Sequence, residues 1–233
     1  MIARALVLVS TLVVAVVATL AQLDQQSRLS PAYAAIVPDS FSGNAARERS
    51  RIALKLGEGQ RAEDAARVQV SLRPMPAESL SILALAAVQA GDIEMARDAL
   101  GAASQRGWRE PVSQLASGQS ALEQGQYAIV AQRIHALLAT GRFTEPAHAL
   151  LAQLVATPQG RAAFAEQLAG AGRWQNGLLT SAYDSVEPAD WAQTLALAQQ
   201  RGATFERAQL ESLVKRYRRD GREEDIALFW PEN

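Results

Sequence analysis

The sequence predicts an all-α chain: an α-solenoid of antiparallel helical hairpins, preceded by one transmembrane or signal helix. Three observations carry that prediction. Alanine, the strongest helix former, supplies 46 of 233 residues, against 5 Phe, 4 Tyr and 4 Trp, the aromatic class that strands favour. Turn signals recur at Gly57-Glu58-Gly59, Pro74, Gly91-Asp92, Gly125-Gln126, Gly141, Pro158, Pro188, Gly202 and Gly221, and the intervening pieces have the length of helices in an αα-hairpin array. A long uncharged run stands at the N-terminus.

That run comes first in the chain. ALVLVSTLVVAVVATLAQL, residues 5–23, lies between Arg4 and Asp24 without a charge. As a helix its 19 residues span about 28 Å, close to the roughly 30 Å of bilayer hydrocarbon. Residues 1–24 therefore read as a membrane anchor or a signal peptide. The anchor is favoured because the cleavage sites are weak: Thr19-Leu20-Ala21 is a poor match, and Ala32-Tyr33-Ala34 lies far beyond the apolar run. Arg4 and the terminal amine favour a cytoplasmic N-terminus. The remainder would then face the periplasm of a Gram-negative cell, either tethered to the inner membrane or released after cleavage.

Residues 25–44 carry Pro31, Pro38, Gly43 and four serines and read as a linker, with a short helical piece around Ala32 to Ile36. Tyr33, Ile36, Val37 and Phe41 are too apolar for a free tether and are expected to pack on the first hairpin. Residues 45–233 form the helical domain. Its first unit, near 45–72, places Ile52, Ala53, Leu56, Ala65, Val68 and Leu72 on the apolar seam, with a period nearer 31.

Two hairpins then align at a fixed offset. Residues 80–103 match 114–137 with a shift of 34: Gly91 falls on Gly125, Ile93 on Tyr127, Ala96 on Val130, Leu100 on Ile134, Ala84 on Gly118 and Ala87 on Ala121. Small residues at Ala84, Ala96 and Gly118 let paired helices approach, so Ala84 and Ala96 are expected to meet. This pattern resembles the tetratricopeptide repeat, a 34-residue unit with a glycine at the inner turn. Later, Phe164, Ala165, Leu168, Gly172 and Trp174 fit the same pattern, but Gly172 follows Gly125 by 47 residues, which implies an extra helix near 144–156 or a change of phase. Trp191, with Leu195 and Ala198, starts a further unit.

Composition limits the chemistry. Balanced charge, 23 basic against 24 acidic residues, argues against a general nucleic-acid binder. With no cysteine there are no disulfides, thiolate metal sites or thiol catalysis. The two histidines, His135 and His148, are 13 residues apart without a second ligand motif, so they read as packing residues and no metal or cofactor is expected. Glu211-Ser212 superficially resembles the Glu-Ser pair of lytic transglycosylases, yet it lies inside a helical run without the glycine-rich motif that should follow. The run Lys215, Arg216, Arg218, Arg219, Arg222 is offset by Glu223, Glu224 and Asp225, and it closes a helix whose dipole favours cations. No catalytic residue is assigned. Of Trp108, Trp174, Trp191 and Trp230, any one left exposed in a groove would be a peptide anchor.

The tetratricopeptide resemblance implies a non-enzymatic scaffold or adaptor for protein partners in an envelope complex, such as one for secretion, polysaccharide export or envelope assembly. Two alternatives stand beside it: an accessory subunit of a membrane enzyme or transporter, and a glycan-binding or glycan-cleaving helical module. A peptide groove should be lined by first-helix side chains, for which Glu78, Ser81, Gln114 and Gln119 are the candidates.

Overall fold

The computed structural model of the chain describes residues 2–170, 172 and 174–230. Among them it is all-helical, with thirteen α-helices, two short 3-10 turns and no strand. The first helix, α1 (Ile2–Gln26), is long and apolar enough to cross a membrane or to be a signal sequence. Its hydroxyls at Thr11 and Thr19 bond back to the Val7 and Ala15 carbonyls, so neither leaves an unmet donor on the apolar surface of the helix.

The chain divides into two compact units, Met1–Glu110 and Pro111–Asn233. The first holds α1, α2 (Gly43–Leu56), α3 (Gly59–Leu72), α4 (Ala77–Ala90) and α5 (Ile93–Arg106). From α2 to α5 each helix packs on the next, and α2 also touches α4. The second unit holds α6 (Pro111–Glu123), α7 (Tyr127–Thr140), α8 (Thr144–Val155), α9 (Pro158–Ala169), α10 (Gln175–Tyr183), α11 (Pro188–Gln200), α12 (Arg207–Arg219) and α13 (Glu223–Phe229). There α6/α7, α7/α8, α8/α9, α10/α11 and α12/α13 pair in succession, and α6/α8, α7/α9, α9/α11, α10/α12 and α11/α13 also lie in contact.

The helix starts are regular. Gly43, Ala77 and Pro111 open alternate helices 34 residues apart, and Gly59, Ile93 and Tyr127 open the intervening ones at the same spacing. The first unit therefore keeps a period of 34, not 31. The turn chemistry shows why. Gly91 adopts φ +87°, a left-handed conformation open to glycine at little cost, and the Asp92 N–H closes back on the Ala87 carbonyl at 2.8 Å. The Asp92 carboxylate then accepts from the Met95 N–H and caps α5. Equivalent closures follow Gly57 (Glu58 to Ala53) and Gly125 (Gln126 to Ala121).

Beyond α7 the spacing shortens and the turn changes. A helix does occupy the stretch near 144–156, and it pairs with α9 through Ala156-Thr157 rather than through a glycine. Thr157 Oγ1 accepts from the Gly160 N–H at 3.0 Å, and Pro158 opens α9. A Cβ at Gly160 would stand 1.8 Å from the Leu154 carbonyl oxygen, so this tight corner requires glycine. Phe164, Ala165 and Leu168 consequently belong to the second helix of a hairpin, and Gly172 lies on the connection to α10, not on an inner turn. The sequence phase slips here because a threonine cap has replaced the glycine signal.

The cores of the units differ in texture. In the first, Ala53, Ala62, Ala66, Ala84, Ala86 and Ala99 supply most of the buried apolar cluster, with Ile82 and Leu83. Backbones approach closely: a Cβ at Gly59 on α3 would stand 2.5 Å from the Gln89 carbonyl on α4. Methyl groups fill such a gap, so along α2 and α3 alanines take the interior. Ile52, Leu56 and Leu72, expected on the seam, are exposed instead. Ala84 and Ala96 are both buried, and the cluster around Ala84 takes in Met95 and Ala99 from α5. The second unit is built on larger groups, with Phe164, Trp191, Tyr217 and Phe229 fully buried. The Trp191 indole donates to the Leu179 carbonyl at 3.1 Å, which satisfies its one polar atom.

Residues 27–42 are firmly held. Pro31–Ala35 and Asp39–Phe41 form the 3-10 turns, and Arg49 of α2 ties them down. Its guanidinium donates to the Ala34 and Val37 carbonyls, to Asp39 Oδ1 and to Ser42 Oγ. Of the four apolar side chains expected to pack here only Val37 is buried; Tyr33, Ile36 and Phe41 remain exposed because Ala34 and Val37 already fill the small gap over Ala45.

Candidate functional site

The junction between α1 and the helical domain is built around one buried carboxylate. Asp24 Oδ1 accepts from the Asn44 and Ala45 backbone N–H groups, each at 2.8 Å, and Oδ2 accepts from the Asn44 side-chain amide at 2.8 Å. These are first-turn donors of α2, which Ser42 leaves uncapped. A negative charge at a helix N-terminus meets both the free N–H groups and the positive end of the dipole. Asn44 Oδ1 in turn accepts from Arg73 at 2.6 Å, which links the junction to the end of α3. Asp24 is the first charge after the apolar run, so the residue that ends the run also clamps it to the domain.

Next to this clamp lies a cleft of about 510 Å³ between residues 31–39 and the outer faces of α2 and α3. Its lining is apolar at Ala34, Ile52, Leu56 and Val68 and charged at Arg49, Glu58, Arg61 and Asp64. Leu56 is 66% exposed. Arg61 pairs with Glu58 at 2.6 Å, three residues away at the start of α3. A second cleft of the same volume lies in the other unit, where Tyr127, Ala128 and Ile129 of α7 face Gln159, Ala162 and Glu166 of α9.

The four side chains singled out from sequence do not line either cleft. Ser81 is buried and donates to Glu110 at 2.5 Å. Gln114 is buried and accepts from Arg133 at 3.0 Å. Neither offers a polar atom to a visiting peptide: Ser81 lies on the largely buried α4, whose serines serve internal hydrogen bonds, as where Gln69 donates to Ser79, and Gln114 lies on the buried face of α6. Glu78 and Gln119 are exposed, and Glu78 stands 3.7 Å from Arg47. Ile52 and Leu56 are not legible as cleft residues in the sequence, because large aliphatics at helical spacing point to an inward face. The alanines at 45, 46, 53, 62 and 66, on the buried faces of the same two helices, were the available signal.

The other candidates resolve as packing and surface pairs. His135 stacks on Trp174 with ring centroids 4.5 Å apart and meets Gln167 Oε1 at 3.2 Å. His148 is buried between α8 and α10, with Ser181 Oγ at 3.4 Å, and burial holds its pKa below the ordinary imidazole value despite Glu145 and Asp184 nearby. In the basic run, Arg216 pairs with Asp184, Arg219 with Asp220, and Arg222 with Glu187 and Asp225. Glu211 pairs with Arg207 on the open face of α12. Tyr183 donates to Asp220 at 2.8 Å, and burial together with that bond pushes its phenol up to about 12. Trp108 is the most exposed of the tryptophans, with the Arg109 guanidinium 4.6 Å above its ring. Among the described residues no group of three or more acidic, histidine or cysteine side chains could hold a metal ion.

No family model, curated protein or solved structure matches this chain.

Proposed function

We propose that the protein is a membrane-anchored helical-repeat scaffold that presents a binding cleft to a protein partner beside the membrane. The observation that carries this reading is the cleft on α2 and α3 with its exposed aliphatic and charged lining, set on a helix pair that Asp24 clamps to the apolar helix. A partner held there would be fixed near the bilayer rather than on a loose tether.

The tetratricopeptide resemblance is supported by the 34-residue recurrence of helix starts through α7, and by the recurring glycine turn at 57, 91 and 125. Successive pairing from α2 to α5, and the contacts α2/α4, α6/α8, α7/α9, α9/α11, α10/α12 and α11/α13, are of the kind stacked hairpins require. Arg4 and the amino terminus favour the cytoplasmic side, which would place the helical domain in the periplasm. An extended segment with one aliphatic anchor suits the cleft: apolar contacts over Ile52 and Leu56, charge pairs at Arg61 and Asp64.

The test substitutes Leu56→Glu in the full chain, with Gln119→Glu as the control, and compares the proteins that co-purify from solubilised membranes. Loss of a specific partner with Leu56→Glu, at unchanged melting temperature, supports the cleft. Equal recovery with both variants places the contact elsewhere.

A further inference from the structure

We propose that residues 28–36 form a collar that lies in the lipid headgroup layer, with Leu29, Tyr33 and Ile36 immersed at the acyl boundary and Arg28 reaching headgroup phosphates. The inference rests on the reading of α1 as a membrane-spanning helix.

Depth is the first observation. Leu23, the last residue of the uncharged run, packs against the buried cluster of Ala34, Val37 and Ala45. Packed side chains touch within about 4.5 Å, so Ala34 and Val37 stand at the level where the apolar span ends. Tyr33 and Ile36 are their chain neighbours, one Cα step of about 3.8 Å away. The headgroup layer on each side of the hydrocarbon is roughly 5–8 Å deep, which leaves both inside it or at its edge.

Exposure is the second. Leu29 is 83% exposed, Ile36 61% and Tyr33 40%, three large apolar side chains within eight residues that find no cover within the protein. Arg28 is exposed and makes no ion pair among the described residues, whereas Arg49 and Arg47 nearby are paired. An aromatic with a polar tip, aliphatics and a free cation directly after an apolar span are the composition of a membrane interface.

Rigidity is the third. Asp24 fixes α1 to α2, and Arg49 fixes the collar to α2 through the carbonyl of Ala34 and that of Val37 just beyond it. The collar cannot swing away from the end of α1 without breaking the Arg49 hydrogen bonds and uncovering Ala34. Its seating would therefore hold the first hairpin at a set tilt over the bilayer.

The chain has no cysteine, so single cysteines carry an environment-sensitive fluorophore without background. Full-length Ile36→Cys, Leu29→Cys, Gln119→Cys and Val13→Cys variants are labelled and reconstituted into phosphatidylcholine–phosphatidylglycerol vesicles. The expected result is blue-shifted emission at 29 and 36, quenched by lipid bearing a nitroxide near the headgroup, with water-like emission at 119. A dry probe at 13 with wet probes at 29 and 36 overturns the collar and leaves the anchor standing. A wet probe at 13 overturns both. Probes at 29 and 36 that are dry in native membranes but wet in pure lipid also overturn it, because a protein then covers the patch.

Discussion

Asp24 combines two roles that are usually separate, the end of an apolar run and the cap of another helix. Its carboxylate meets three donors in a buried setting, so removing it leaves the Asn44 amide and two backbone N–H groups without a partner. Asp24→Ala should lower stability by about 1–2 kcal/mol, the range of lost N-caps, when thermal unfolding is followed in detergent. Asp24→Asn should lose less, since one amide oxygen still accepts. His148 makes a prediction of opposite character. Burial depresses its folded pKa, so below about pH 6.5 the unfolded chain binds a proton that the folded chain refuses. Its neutral burial thus costs stability as pH falls from that value toward the folded pKa. His148→Gln should flatten the decline in melting temperature between pH 7 and pH 5; an identical slope would count against the assignment.

At the scale of elements, the first four helices of the domain pack through alanine. Close backbones gain dispersion contacts along their whole length but tolerate no added volume. Ala84→Leu on α4 should therefore destabilise by about 1–3 kcal/mol through overpacking, measured by denaturant unfolding of the full chain. The same enlargement at Leu56, Leu56→Phe, should be near neutral because that side chain stands in the open cleft. Ser81→Arg is a folding test rather than a binding test: the guanidinium would be forced into a buried site that now holds a hydroxyl bonded to Glu110. The helix pair after α7 turns at a different corner. Thr157, Pro158 and Gly160 there do what Gly91 and Asp92 do earlier, which is how helix pairing persists while the sequence period fails.

For the whole molecule, the two units hold separate cores of different texture, one of alanine and short aliphatics, the other of aromatics and leucine. Trp191 is fully buried at the centre of the second, with its N–H satisfied. Trp191→Ala should cost about 3–5 kcal/mol. Amide hydrogen exchange should register that loss across α9, α11 and α13, while the α2–α5 amides keep their protection. Uniform loss of protection along the chain would instead mean that the two units unfold as one.

What the sequence determined by itself was the class of each segment. Helix, turn and apolar span are local properties, set by alanine content, by glycine at left-handed corners and by 19 residues without a charge. The 34-residue offset between two hairpins is local in the same sense, since it repeats a turn chemistry. Which face of each helix points inward was decided only by the tertiary structure. Where backbones close to methyl distance, alanines take the interior, so Ile52 and Leu56 become cleft residues while Ser81 and Gln114 become interior ones. The Asp24 clamp was likewise invisible, because it joins residues 20 apart that come together only when α1 reaches the start of α2. A carboxylate at the end of an apolar run reads as the edge of a membrane; that it is also a helix cap depends on a neighbour the local sequence does not name.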